Sequence, residues 1–195
     1  MTPILGPTVD HVGLYTCGDW ETENHSTAAL DSILTELGHF IIYREVEGYY
    51  LQPRLGQDLK RPRIDRILVP KPHLIEAGWH HGPIGIECKR SGAKVGPAMS
   101  QLLDYSRAAW LVEPTKGIWI VVQWLFLWPL EYLHGPLASI QAQHRVGSAT
   151  PNTSTYNRSV ALTLSTGTMP AVGIFHHDGT VHVGPGLNGR KAGSR

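Results

Sequence analysis

The chain has 195 residues, 42% of them apolar and 17% charged, which suits one compact domain with a full hydrophobic core and excludes global disorder. A formal net charge of +1 excludes a histone-like polycation, yet the charge is unevenly spread. Residues 1–49 carry one basic and eight acidic side chains, residues 50–110 carry ten and five, and the remainder carries six and three. The middle third is thus basic, compatible either with a polyanionic ligand or with an ordinary solvated face.

Cys17 and Cys88 are too few and too far apart for a disulfide framework or a cysteine-rich metal cluster. The opening "MTPILGPTVDHVGLY" lacks a charged segment followed by a long apolar one, so no signal peptide is expected, and a cytoplasmic, intracellular location follows. The most apolar run, Gly117 to Leu130, has 14 residues interrupted by Gln123 and Pro129. A membrane span needs roughly 20, so this run reads as a buried strand leading into a second element, and no membrane association is expected.

In chain order, residues 1–20 read as an irregular lead-in. "ETENHSTAALDSILTELG" then spaces Ala29, Leu30, Ile33, Leu34 and Leu37 as one helical stripe, with Ser26 or Asn24 as N-cap and Gly38 as C-cap glycine. "HFIIYREVEGYYL" is β-branched and aromatic, hence a strand; "PRLGQDLKRPR" is a charged excursion. "IDRILVP" is a short strand stopped by Pro70, and "KPHLIEAGWHHG" a loop or short helical turn. "PIGIECK" alternates as the next strand, with Ile84, Ile86 and Cys88 on one face and Gly85, Glu87 and Lys89 on the other. "GPAMSQLLDYSRAAWLV" places Met99, Leu102, Leu103, Ser106 and Trp110 on a second helical stripe that opens on an N1 proline, and "GIWIVVQW" is a buried strand.

This order, helix, three strands, helix, strand, predicts an α/β core over about residues 20–130 whose last crossover makes a parallel pair in a mixed sheet flanked by helices. Beyond it, "LASIQAQHRVG" reads as a helix, "SATPNTSTYNR" as a polar loop and "SVALTLST" as a strand. "VGIFHHDGTVHVG" reads as a hairpin turning at Asp178-Gly179. One domain over 1–195 is expected, with a β-rich extension at 131–183 and a frayed, basic tail at 184–195.

Glu87 and Lys89 emerge together from an otherwise apolar strand, where a lone charge would be costly. A salt bridge on an edge strand would explain the pair alone. If the strands around Asp65 and Glu87 form a hairpin, however, their carboxylates converge beside a lysine, an oxygen-rich site suited to Mg²⁺ or Mn²⁺, with the Cys88 backbone carbonyl as a further ligand.

The pattern Ile64-Asp65 followed by Glu87-Cys88-Lys89 resembles the PD-(D/E)XK nuclease superfamily, with its restriction-endonuclease-like αβββαβ core. Gln101-Leu102-Leu103-Asp104-Tyr105 is similar to the QxxxY motif of its RecB-type branch. The resemblance covers roughly residues 20–125. It implies a Mg²⁺-dependent deoxyribonuclease, with Mn²⁺ as substitute, in which Asp65, Glu87, Lys89 and Gln101 are catalytic and Asp65, Glu87 and the Cys88 carbonyl hold metal. An acid from the first helix often completes such sites; Glu23 is preferred here over Glu36 and His25. Arg63, Arg66, Arg90, Lys94 and Tyr105 are the expected nucleic-acid contacts, DNA the expected partner, and a homodimer is compatible with cutting both strands. No iron–sulfur cysteine set is present.

The alternative is a non-catalytic nucleic-acid-binding or assembly module that retains the fold. His80-His81, His176-His177 and His182 lack standard zinc-ligand spacing. No G-x-S-x-G elbow and no phosphate-binding glycine loop occurs.

Overall fold

A computed structural model of the protein describes residues 20–53, 61–76, 82–113, 118–130, 143–152, 161–165, 172–177 and 180–183. Thr22 caps the first helix, α1 (Glu23–Leu37), its hydroxyl accepting from the His25 N–H at 3.2 Å; the helix therefore begins ahead of the expected caps Asn24 and Ser26. Gly38, at φ 66°, closes it by donating its N–H to the Leu34 carbonyl, the left-handed conformation for which glycine has no Cβ penalty.

Three antiparallel strands follow as a meander: β1 (Phe40–Tyr50), β2 (Arg63–Pro70) and β3 (Ile84–Cys88), with the short α2 (Pro72–Glu76) between β2 and β3. The second long helix, α3 (Val95–Tyr105), crosses over the sheet. It begins two residues before Pro97 and stops before Trp110, which lies on β4 (Ala108–Glu113), not on the helical stripe that periodicity suggested. β4 pairs with Gly48–Tyr50 of β1, and β5 (Ile118–Ile120) pairs with β4.

The parallel partner of β3 is β6 (Trp124–Trp128). The run read as one strand, "GIWIVVQW", is thus divided: its first half builds the far edge of the sheet, and the chain returns through Val121–Gln123 to lie beside β3. The Gln123 N–H donates to the Pro83 carbonyl at that crossing. β7 (Val146–Asn152) adds parallel to β6, and β8 (Ala161–Ser165), β9 (Val172–His177) and β10 (Thr180–Val183) continue antiparallel. The order is β10-β9-β8-β7-β6-β3-β2-β1-β4-β5, so the β-rich extension continues the central sheet. Val146 and Gly147, read as the end of a helix, and 148–152, read as loop, are strand, while 137–142, the turn at 178–179 and the tail at 184–195 lie outside the described residues.

Helices cover both faces. On the α1 side, Leu30, Ile33, Leu34 and Leu37 pack with Phe40, Leu68, Ile84, Ile86, Phe126 and Trp128; on the α3 side, Ala98, Met99 and Leu102 pack with Val46, Ile64, Ile67, Leu125 and Leu127. The expected alternation of β3 holds, with Ile84, Ile86 and Cys88 on the α1 side and Gly85 and Glu87 opposite.

Among the described side chains, strict alternation fails in β1 and β2 together. Phe40, Ile42 and Arg44 face α1, yet Val46 lies in the α3-side core; Leu68 and Arg66 face α1, yet Ile64 lies with Val46. The reversal falls at the cross-strand neighbours Glu45 and Asp65, and Glu45 sits at φ 49°, a left-handed conformation uncommon for a residue with a side chain. Ile64 is thereby delivered over Gly85, where a Cβ would stand 2.6 Å from Ile64 Cδ1 and 2.7 Å from Leu125 Cδ2.

Gly85→Ala should consequently destabilise the fold by about 1–3 kcal/mol through overpacking, and adding Ile64→Val should restore part of the loss. Urea denaturation of the two variants measures this; an unchanged midpoint for Gly85→Ala would contradict the close approach of Ile64.

Candidate active site

A cleft of about 480 Å³ opens where β3 ends, lined by Glu23, Asp65, Glu87, Lys89, Gln101 and Tyr105. Its floor is Glu87, 4% exposed as a residue. One oxygen, Oε1, accepts from Lys89 Nζ at 2.8 Å and from Gln101 Nε2 at 2.7 Å. The other, Oε2, is buried without a hydrogen-bond donor. Leaving an acceptor of that kind unsatisfied costs on the order of 1–3 kcal/mol, more for a charged group, so the atom calls for a partner.

Asp65 stands across the ladder from Glu87, one step beyond the paired Arg66 and Ile86. Here the strands part, and the Cys88 N–H donates at 2.6 Å to Asp65 Oδ2 instead of to a β2 carbonyl. N–H and C=O of one strand residue point to the same side, so the Cys88 carbonyl is directed toward Asp65 as well. The Cys88 side chain is buried on the opposite face, where desolvation raises its thiol pKa; it is a packing residue there.

Gln101 and Tyr105 lie one helical turn apart on α3. Gln101 Nε2 also donates to the Tyr105 hydroxyl at 2.7 Å, and that hydroxyl donates to the Arg63 carbonyl at 2.7 Å. The chain from Glu87 to the β2 backbone therefore fixes the carboxylate rotamer. Tyr105, expected as a nucleic-acid contact, is 7% exposed with its hydroxyl committed, and acts as a strut for Gln101.

Of the three first-helix candidates, Glu23 reaches the cleft, 3.4 Å from Lys89 Nζ. Glu36 lies 13 residues further along α1, about 20 Å by helical rise, and His25 does not line the cleft. Arg63 lines the rim and pairs with Glu45 at 3.1 Å. Arg90 and Lys94 are exposed beyond the lining residues.

Arg66 does not serve as the expected phosphate contact. Its side chain is 6% exposed; Nε and Nη2 donate to the two oxygens of Asp31 on α1 at 2.7 and 2.9 Å, and Nη1 donates to the Asp65 carbonyl. Arg44 adds a further bond to Asp31 at 2.9 Å. Burial opposes the Asp31 charge, but the bonds from Arg66 and Arg44 prevail and hold its carboxyl below the usual range.

Burial is the largest influence on the acids of the cleft. It raises Asp65, an effect the Cys88 N–H opposes and the charge of Glu45 reinforces. Burial, followed by the Asp65 charge, pushes Glu87 up to about 7 despite Lys89. Burial alone would lower Lys89, but the Glu87 carboxylate outweighs it and keeps the ammonium above its ordinary value. Two converging carboxylates, each disfavoured when ionised, beside an acceptor with no donor form an environment that a divalent cation would relieve. Among the described residues no three His, Cys, Asp or Glu side chains close on one point as a ready-made metal-ligand group. His80 and His81, and the side chains of His176, His177 and His182, lie outside the described residues.

No family model, curated protein or solved structure matches the chain. The site therefore rests on its own geometry. Sequence reasoning missed Arg61 and Tyr50 on the cleft wall and Asp31 beneath it. The basic run "KRPR" hinted at the first, whereas Tyr50 and Asp31 carry no signal until β1, β2 and α1 are packed.

Two outcomes are expected. Glu87 titrates near 4.5 when unfolded and near 7 when folded, so the folded state holds its proton more tightly. The stability this supplies is complete below about pH 4.5 and is lost as pH rises through 7, up to about 3 kcal/mol in metal-free protein. Glu87→Gln should flatten that decline in thermal melts from pH 5 to 8. Arg66→Met should cost about 3–5 kcal/mol by leaving Asp31 half-buried and short of its best partner, while Arg44→Ala should cost about 1 kcal/mol or less, as chemical denaturation will show.

Proposed function

We propose that this protein is a metal-dependent nuclease that hydrolyses phosphodiester bonds in DNA. The observation that carries the reading is the Glu87 Oε2 oxygen, buried without a donor on the wall of a cleft that also holds Asp65, Lys89 and Gln101. A meander of three strands, a crossover helix and a parallel fourth strand between two helical layers is consistent with a restriction-endonuclease-like core, elaborated by the β4–β5 hairpin and by β7 to β10.

Asp65 and Glu87, with the Cys88 carbonyl, would hold Mg²⁺, or Mn²⁺ in its place. When bound, that ion supplies Lewis acidity toward the scissile phosphate and lowers the pKa of a coordinated water. The remaining work falls to the side chains. Gln101 and Lys89 both hold Glu87 Oε1, which leaves Oε2 directed to the ligand. Lys89, kept protonated by Glu87, places a positive charge where the pentacovalent phosphate gathers negative charge, and orients the attacking water. Glu23 restrains Lys89 from the α1 side. Arg63, with Arg61 beside it on the rim, meets neighbouring phosphates, a contact that positions the strand without reading its bases.

The test uses linear, circular, single-stranded and branched DNA with Mg²⁺, Mn²⁺ or EDTA. Cleavage should require the metal and fall at least about a hundredfold in Glu87→Gln and in Lys89→Met. Gln101→Ala should fall less, since Lys89 still holds Oε1. Cleavage in EDTA, or wild-type rates in Glu87→Gln, would overturn the assignment.

A further inference from the structure

A second hollow, of about 280 Å³, lies on the far side of the α3 C-terminus, with Arg107, His144 and Arg145 around Gln123, Gln143 and Ser106. No aspartate or glutamate lines it, and among the described residues neither arginine has a carboxylate in ion-pair range. Of the other described arginines, Arg44 and Arg66 pair with Asp31, Arg61 with Glu47 and Arg63 with Glu45, while the exposed Arg90 also has no carboxylate in ion-pair range among the described residues. Two arginines lining one hollow that has no acidic residue among its lining raise the local potential and favour an anion.

Both arginines are carried on fixed backbone. The Arg107 carbonyl accepts from the Leu51 N–H at 2.8 Å, and the Arg145 carbonyl accepts from the Leu125 N–H at 3.0 Å. Arg145 is held at φ 56°, one of two non-glycine residues found in the left-handed region among those described, and strain of this kind persists only where the surroundings impose it. A helix C-terminus would ordinarily repel an anion. Here its exposed carbonyls are engaged: Leu102 and Asp104 accept from the Ser106 and Arg107 N–H groups, and Leu103 accepts from the Ser106 hydroxyl.

The C-terminal end of α3 contributes to both hollows. Consecutive residues Tyr105 and Ser106 line one and the other, and Tyr50 of the cleft wall pairs across β1–β4 with Ala108, next to Arg107. We infer that Arg107 and Arg145 form a second phosphate-binding pocket, which grips the backbone of the nucleic-acid strand a short distance from the bond held over Asp65 and Glu87. This deepens the nuclease reading and rests on it, in that the substrate becomes a polynucleotide long enough to span both hollows.

The probes are a fluorescein-labelled single-stranded oligonucleotide, followed by anisotropy in EDTA across a salt series, and bis(p-nitrophenyl) phosphate, too small to span the hollows, followed by hydrolysis with Mn²⁺. Arg107→Ala/Arg145→Ala should bind the oligonucleotide about tenfold more weakly, and its log K against log salt slope should shrink by about 1.4, the value for two lost phosphate contacts on a single strand. Its hydrolysis of the small diester should match wild type. Arg107→Lys/Arg145→Lys, which keeps the charge, should retain the slope, and circular dichroism confirms that both variants fold. Oligonucleotide affinity and slope unchanged in the alanine variant would overturn the pocket, as would an equal loss on the small diester. Small-diester hydrolysis that survives in Glu87→Gln would instead overturn the nuclease reading, with the anisotropy still reporting on the pocket.

Discussion

Arg66 is buried between α1 and β2 with its guanidinium shared between Asp31 and the backbone of Asp65. A charge so placed is tolerable only while its partners stay in position, so the contact fixes both the distance of α1 from the sheet and the path of β2 at one residue. That residue is the one at which strand alternation reverses. Because the reversal sends Ile64 to the α3 side, Gly85 must lack a side chain; because Asp65 turns toward β3, its carboxylate takes the Cys88 N–H and lies beside Glu87. The position of α1 in turn brings Glu23 to Lys89. The candidate site, the packing of β3 and the placing of the first helix are all consequences of one clamp.

Around the clamp the energetics are divided between two faces. The α1 side is held by aliphatic and aromatic packing, with Trp128 donating its indole N–H to the Ser26 carbonyl and lying 5.6 Å from the Trp20 ring. The α3 side combines apolar packing with the bonded series Glu87, Gln101, Tyr105 and the Arg63 carbonyl. A buried polar series is worth having only if each member is satisfied, and this one is satisfied except at Glu87 Oε2. The unsatisfied oxygen stands in a cleft where perturbed acids gather, an arrangement that marks candidate functional sites.

Much of this was legible before folding. The stripe from Ala29 to Leu37 and the glycine at 38 specify α1, because helical period and a left-handed terminator are local properties. The alternation of "PIGIECK" is equally local, and it placed Glu87 opposite Cys88 correctly. Gln101 and Tyr105 share a helical face for the same reason. Arg66, by contrast, looked like one more cation of a basic segment, since nothing within its neighbourhood in sequence announces that Asp31, 35 positions earlier, will meet it. Trp110 continued a helical stripe on paper, yet Gly48–Tyr50 of β1 pair along the edge opposite β2, which draws 108–113 into a strand. β4 in turn takes Ile118–Ile120 out of what read as one continuous strand.

What the amino-acid sequence determined by itself was the set of local conformations and the chemical inventory: two acids, a lysine and a glutamine with a tyrosine one turn away, on elements whose periodicity shows which residues share a face. Tertiary structure alone decided which of these groups are engaged internally and which are not. It consumed Arg66 in a buried pair, left Glu87 Oε2 without a donor, and brought Arg107 and Arg145 to the lining of one hollow although 38 positions separate them. The physical reason is that period and capping act over a few residues, whereas desolvation and ion pairing depend on which distant segments exclude water from one another.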